Sequence, residues 1–84
     1  MSYSVIFSKH ARKQLEDLEP DIQRRLVSAL ERIRIRPEKY VQKLAGRPNY
    51  RIRVGDYRVI LDIEHEKLVI LVIKVGHRKN VYKD

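Results

Sequence analysis

The chain contains no cysteine and no tryptophan, only three glycines and three prolines, and far fewer acidic than basic side chains. Without cysteine there is neither a disulfide scaffold nor a cysteine-based zinc site, which fits a reducing compartment. No stretch approaches the roughly 20 apolar residues that a membrane-spanning helix needs. The opening "MSYSVIFSKH" lacks a basic region followed by a long apolar run, so a soluble, cytoplasmic protein is expected. His10, His65 and His77 are scattered without ligand spacing, so neither a metal nor a cofactor is expected. What is abundant is positive charge. Nineteen Lys and Arg against eleven Asp and Glu give a formal net charge of +8, a balance that favours a polyanion such as nucleic acid, or an acidic protein partner. With 84 residues, the chain is expected to form one domain over residues 1–84 with a single modest core.

Along the chain, "YSVIF" at positions 3–7 is β-branched and aromatic and predicts a short first strand. Ser8 is a candidate N-cap. From Lys9 the period becomes helical, with Ala11, Leu15 and Leu18 inside and Lys9, Arg12, Lys13 and Glu16 outside. Pro20 ends that helix and suits the start of another, whose apolar stripe of Ile22, Leu26, Leu30 and Ile33 runs until Pro37. Residues 37–49, "PEKYVQKLAGRPN", read as a connection with a turn of helix around residues 40–44. Three strand patterns follow. The order βααβββ implies an α+β domain, an antiparallel sheet with a helical hairpin packed on one face.

Within "YRIRVGDYRVI", Gly55-Asp56 is a two-residue hairpin signal in which glycine supplies the positive φ of the first turn position. Pairing outward sets Val54 opposite Tyr57, Arg53 opposite Arg58, Ile52 opposite Val59 and Arg51 opposite Ile60. Opposed residues point to one side of an antiparallel pair, so Arg51, Arg53 and Arg58 share a face while Tyr50, Ile52, Val54, Tyr57, Val59 and Leu61 occupy the buried one. Like charges opposite each other cost some tenths of a kcal/mol, which points to an anionic ligand. In the last strand, "LVILVIKVG", the costly burial of a lysine argues for a turn at His65-Glu66-Lys67 that pairs Glu64 with Leu68 and Arg58 with Lys74. That register would send Val69, Leu71, Ile73 and Val75 into the core and add Lys74 to the arginine face. All four cations are expected to project away from the helices.

Directly after this strand comes "VGHRKNVY", which brings His77, Arg78 and Tyr82 to the end of the cationic face. Phosphate-binding cations beside a titratable histidine and a tyrosine are the components of RNA backbone cleavage.

The paired motifs "YRIRVGDYRVI" and "VGHRKNVY", after a strand and a helical hairpin, resemble the RelE/ParE superfamily of toxin–antitoxin systems, and more closely its RelE branch. The resemblance covers nearly the whole chain. It implies a toxin that cleaves ribosome-bound mRNA without a metal, through attack of a 2′-hydroxyl on the adjacent phosphate. The alternative it leaves is a ParE-like, non-enzymatic inhibitor of DNA gyrase on a similar fold. In RelE-like toxins two basic residues precede the hairpin turn, usually lysines, and these match Arg51 and Arg53. The arginine after the turn matches Arg58, that of the closing motif Arg78, and the tyrosine near the C-terminus Tyr82. The resemblance therefore implies Arg58, Arg78 and Tyr82 as catalytic and Arg51 and Arg53 as RNA-binding; the strand register adds Lys74 to the RNA-binding set and the closing segment adds His77 to the catalytic one, with Arg58 and Arg78 expected to be held exposed for the ligand. Arginine effectively never loses its proton, so Arg51 and Arg53 hold charge without acting as bases, and the base is Tyr82 or His77. The implied partners are the ribosome, mRNA and an acidic, RelB-like antitoxin.

Overall fold

The computed structural model describes residues 2–80. Strand β1 (Ser4–Phe7) leads through Ser8 into helix α1 (Lys9–Glu16), and helix α2 (Pro20–Arg32) follows after a three-residue link. The Ser8 side chain caps α1 by accepting from the Ala11 amide at 3.1 Å, and Pro20 opens α2, where its missing N–H is no loss. One helical turn, α3 (Pro37–Tyr40), and a two-residue strand β2 (Gln42–Lys43) occupy the connection expected to be mostly loop. Strands β3 (Tyr50–Val54), β4 (Tyr57–Glu64) and β5 (Val69–His77) follow.

The helical stripes bury as their periodicity requires. Ala11, Leu26, Leu30 and Ile33 join Ile52, Val59, Leu61, Ile70, Val72 and Val75 in one core, with Leu15, Leu18 and Ile22 packed against it. Burying each such Leu or Ile contributes about 1.5–3 kcal/mol.

The sheet order is β1-β5-β4-β3-β2. Strands β2 to β5 are antiparallel to their neighbours as expected, but β1 joins β5 in parallel, so the sheet is mixed. Strand β2 runs opposite to β3 and therefore opposite to β1. The chain reverses there, so β3 sets off in the direction of β1.

The β3–β4 register agrees residue for residue with the hairpin reading, from Val54 opposite Tyr57 to Arg51 opposite Ile60. The β4–β5 register does not. Glu64 pairs with Val69 rather than Leu68, because the turn takes one more residue, closing at Leu68 with φ of 54°. A one-residue slip exchanges the two faces of a strand: Ile70 and Val72 are fully buried in the core, whereas Val69 and Leu71 face the other way beside Glu64 and Asp62. Ile73 is then an extra residue, since Leu61 pairs with Val72 while Ile60 pairs with Lys74. This bulge returns Val75 to the core and Lys74 to the open face. Arg58 consequently lies opposite Gly76, not Lys74.

The bulge falls where β1 stops supporting β5. Beyond Val72 the backbone of β5 is met by side chains instead: the Ser8 hydroxyl donates to the Ile73 carbonyl at 3.2 Å, and the Gln14 Oε1 accepts from the Val75 amide at 2.8 Å. Ser8 thus caps a helix and a bulge together. Ser8→Ala removes both bonds and is expected to lower unfolding free energy by about 1–2 kcal/mol. Gln14→Ala, which strands a part-buried amide, should cost a similar amount, both read from urea unfolding curves.

Candidate active site

The hairpin ladder places Arg51, Arg53 and Arg58 on the sheet face opposite the helices, and Lys74 joins them opposite Ile60. Ile60 is 6% exposed yet lies outside the main core, flanked across both ladders by Arg51 and Lys74. The methylene stems of such side chains cover apolar surface while their charged heads stay in water. Arg51 is steadied by the short strand β2, its Nε and Nη2 donating to the Gln42 Oε1 at 3.1 and 2.9 Å.

Arg58 departs from the expectation of exposure, for it is 8% exposed. Its Nη1 donates to the carbonyls of Gly55 and Tyr57, each at 2.9 Å, so the side chain folds back under its own hairpin turn. These bonds engage only Nη1, and a guanidinium has three further N–H groups on Nε and Nη2. Among the described residues Arg53, Arg58 and Arg78 form no ion pair. A buried guanidinium without a carboxylate partner acts on a phosphate more strongly than an exposed one, because less water screens it.

The tail closes around the same turn. The Arg78 amide donates to the Asp56 carbonyl at 2.8 Å, which brings that exposed arginine beside the hairpin. His77 is placed differently. It opposes Tyr57, their rings meet edge-on at 5.5 Å, and Tyr57 packs against the core. His77 therefore lies on the helix side of β5, not the arginine side. Its Nδ1 accepts from the Lys79 amide at 3.2 Å, which leaves Nε2 to carry the proton of the neutral ring. Tyr82 lies outside the described residues. Among the described residues no group of three His, Asp or Glu side chains is placed to hold a metal ion.

Two neighbours of this site are not evident from sequence. The hairpin pattern marks Tyr57 only as a core position, and the slip and the bulge in β5 together bring it to His77. Arg25 reaches from α2 to the hairpin, its Nη2 3.3 Å from where a side-chain carbon at Gly55 would sit. Helical periodicity sets Arg25 at the border of the buried stripe, next to Leu26, but does not say which strand it meets.

Residues 5–82 match the family described as ParE toxin of type II toxin-antitoxin system, parDE. The chain belongs to that family. The toxin is 32% identical to toxin RelG of Mycobacterium tuberculosis over 99% of each chain, and 29% identical to the mRNA interferase toxin RelE of Escherichia coli over 94% of this chain and 86% of that one. Its fold superposes on the RelBE2 toxin–antitoxin complex of Mycobacterium tuberculosis with a TM-score of 0.85 and 27% identity, covering 93% of this chain and all of the matched one.

In the toxin, then, Arg53, Arg58 and Arg78 gather at the hairpin turn, Arg51 and Lys74 flank Ile60 further along the strands, and His77 turns to the other face. Because Arg58 is buried and bonded, Arg58→Ala is expected to lower unfolding free energy by about 1–3 kcal/mol. Exposed Arg78 should change it by less than about 0.5 kcal/mol when replaced by alanine. Thermal unfolding of the two variants checks this difference.

Proposed function

We propose that this toxin is a ribosome-dependent endoribonuclease that cleaves mRNA in the cytoplasm. The observation that carries the reading is Arg58: a guanidinium buried and bonded in place before any substrate arrives, on a face shared with Arg51, Arg53 and Lys74. A donor already oriented toward developing charge needs no reorganisation during reaction. The name mRNA interferase, borne by a relative that aligns over 94% of this chain, supports the same reading.

In the reaction the 2′-hydroxyl of one nucleotide attacks the adjacent phosphorus. The O2′–P bond forms, the bond from phosphorus to the 5′-oxygen of the next nucleotide breaks, and a 2′,3′-cyclic phosphate is left. One proton leaves the 2′-hydroxyl and one reaches the departing oxygen. Arg58 and Arg78 neutralise the phosphate at the cut, while Arg51, Arg53 and Lys74 hold the neighbouring backbone. Arginines cannot take the proton. We assign proton transfer to Tyr82, which the superfamily resemblance singles out, because His77 sits against Tyr57 on the other side of the strand.

Cleavage on translating ribosomes should persist in EDTA, yield the cyclic phosphate, and fail when a 2′-deoxy nucleotide precedes the cut. Tyr82→Phe should slow it by about 10²–10⁴-fold, the range for lost acid–base catalysis. A large loss in His77→Ala with none in Tyr82→Phe would transfer the role to the histidine.

The family description itself favours a second reading, a ParE-like inhibitor of DNA gyrase. Inhibited gyrase without any mRNA cleavage would establish it. On the endoribonuclease reading the partner is an acidic, RelB-like antitoxin, and its binding should weaken markedly between low and high salt, since screening shortens the reach of the cationic face. Titration at two ionic strengths reads this directly.

A further inference from the structure

The sheet face does not hold all of the charge. Between α2 and β3 lies a cleft of about 650 Å³ walled by Arg24, Arg25, Arg32 and Arg53, with Ser28 and Ala29 along its helical side. A smaller hollow continues it, sharing Ala29, Arg32 and Arg53 and reaching Tyr40, and a third shares Arg32 and Tyr40 and adds Arg36 and Lys39. The three form one trough along α2. Arg25, Ala29 and Arg32 recur at helical spacing and so line one flank of the helix, and Arg36 follows in the link to α3. Asp21, the carboxylate at the trough's rim, is paired with Arg24. Arg25, Arg32 and Arg53 make no ion pair among the described residues.

The trough begins at the candidate active site. Arg25 closes on the hairpin turn at Gly55, and Arg53 lies across the ladder from Arg58. It ends at Tyr40, 46% exposed, with the Lys39 ammonium 6.0 Å from the ring centroid. Strand β2 pairs only with Tyr50 and Arg51, so no strand covers the outer edge of β3 from Ile52 to Val54.

We propose that this α2–β3 trough is a binding track for single-stranded RNA backbone, leading away from the cut, with Arg25, Arg32 and Arg53 on successive phosphates and Tyr40 as a stacking surface for a base. The proposal rests on the endoribonuclease reading and extends it to a second set of contacts. Cations on both walls with an exposed aromatic at one end suit a phosphodiester strand, which needs charge and a ring face but no apolar seat. An acidic protein segment fits less well. Specific docking of a polypeptide depends on buried apolar anchors, and the floor of the widest part offers Ala29 and the half-buried Val54.

The test measures binding of a fluorescent 2′-O-methyl RNA oligonucleotide, which cannot be cleaved, at several salt concentrations. The wild-type toxin should bind with affinity that falls as salt rises. The double variant Arg25→Gln with Arg32→Gln should bind more weakly, and its slope of log affinity against log salt should flatten by about 1.4, from about 0.7 for each phosphate no longer neutralised. Arg12→Gln with Lys13→Gln removes the same charge from exposed positions of α1 and should leave the slope unchanged. Tyr40→Ala should weaken binding by roughly 5-fold or more with the slope intact. Equal slopes for the two double variants, or no binding by the wild type at low salt, overturns the track. So does a trough variant that keeps RNA affinity but loses an acidic antitoxin peptide, which would assign the trough to a protein. Mapping mRNA ends separates this from the parent reading: cleavage undiminished in the trough variant removes the track alone, whereas the expected binding without any cleavage removes the chemistry alone.

Discussion

Strand β5 is bonded to β4 along its whole length but to β1 only as far as Val72. Backbone groups on the β1 side beyond that point need another partner, because an unpaired buried amide or carbonyl costs as much as a lost hydrogen bond. Helix α1 and its cap supply them. Ser8 and Gln14 bond to Ile73 and Val75, on either side of Lys74 where β5 leaves its parallel neighbour. Upstream, β5 is a buried core strand with Ile70 and Val72 inside. Downstream it carries Lys74 to the open face, Gly76 against Arg58, and the backbone of Arg78 to the hairpin turn. The bulge at Ile73 divides these two roles.

The open face shows how a small domain tolerates concentrated charge. Setting Arg53 across from Arg58 is unfavourable in itself, and the cost is contained by giving the two guanidiniums different surroundings. Arg58 turns back under the Gly55-Asp56 hairpin and bonds to its carbonyls, while Arg53 stays exposed at the margin toward α2. Arg51 leans on Gln42, and the stems of Arg51 and Lys74 flank Ile60. Arg58 is thus a cation held by neutral carbonyls. A carboxylate would hold it more firmly but would cancel the field that an anionic ligand needs. Departures from the most stable arrangement belong at such sites.

One fold shared by a family described as ParE toxins and by a relative named mRNA interferase is intelligible on these terms. The helical hairpin and the β3–β4 hairpin are required by the core and say nothing about activity. What distinguishes an RNase is a proton-transfer group within reach of a preset cation. In this structure the ring of His77 is engaged with Tyr57 on the far side of β5.

Local pattern determined a great deal here. Gly55-Asp56 dictates the β3–β4 register and with it the shared face of Arg51, Arg53 and Arg58, because a two-residue turn admits one pairing. Ser8, Pro20 and the stripe from Ile22 to Ile33 likewise place the helices, since capping and periodicity act within a few residues. The β4–β5 register lies beyond such reasoning. "LVILVIKV" is apolar on both faces, so Lys74 is its one marker, and a bulge uncouples Lys74 from the residues before it. The parallel docking of β1, the burial of Arg58, the pairing of His77 with Tyr57 and the reach of Arg25 to the hairpin were decided only in the tertiary structure. Each depends on contact between segments far apart in the chain, and hydrophobic periodicity says which face of a strand or helix is covered without saying by what.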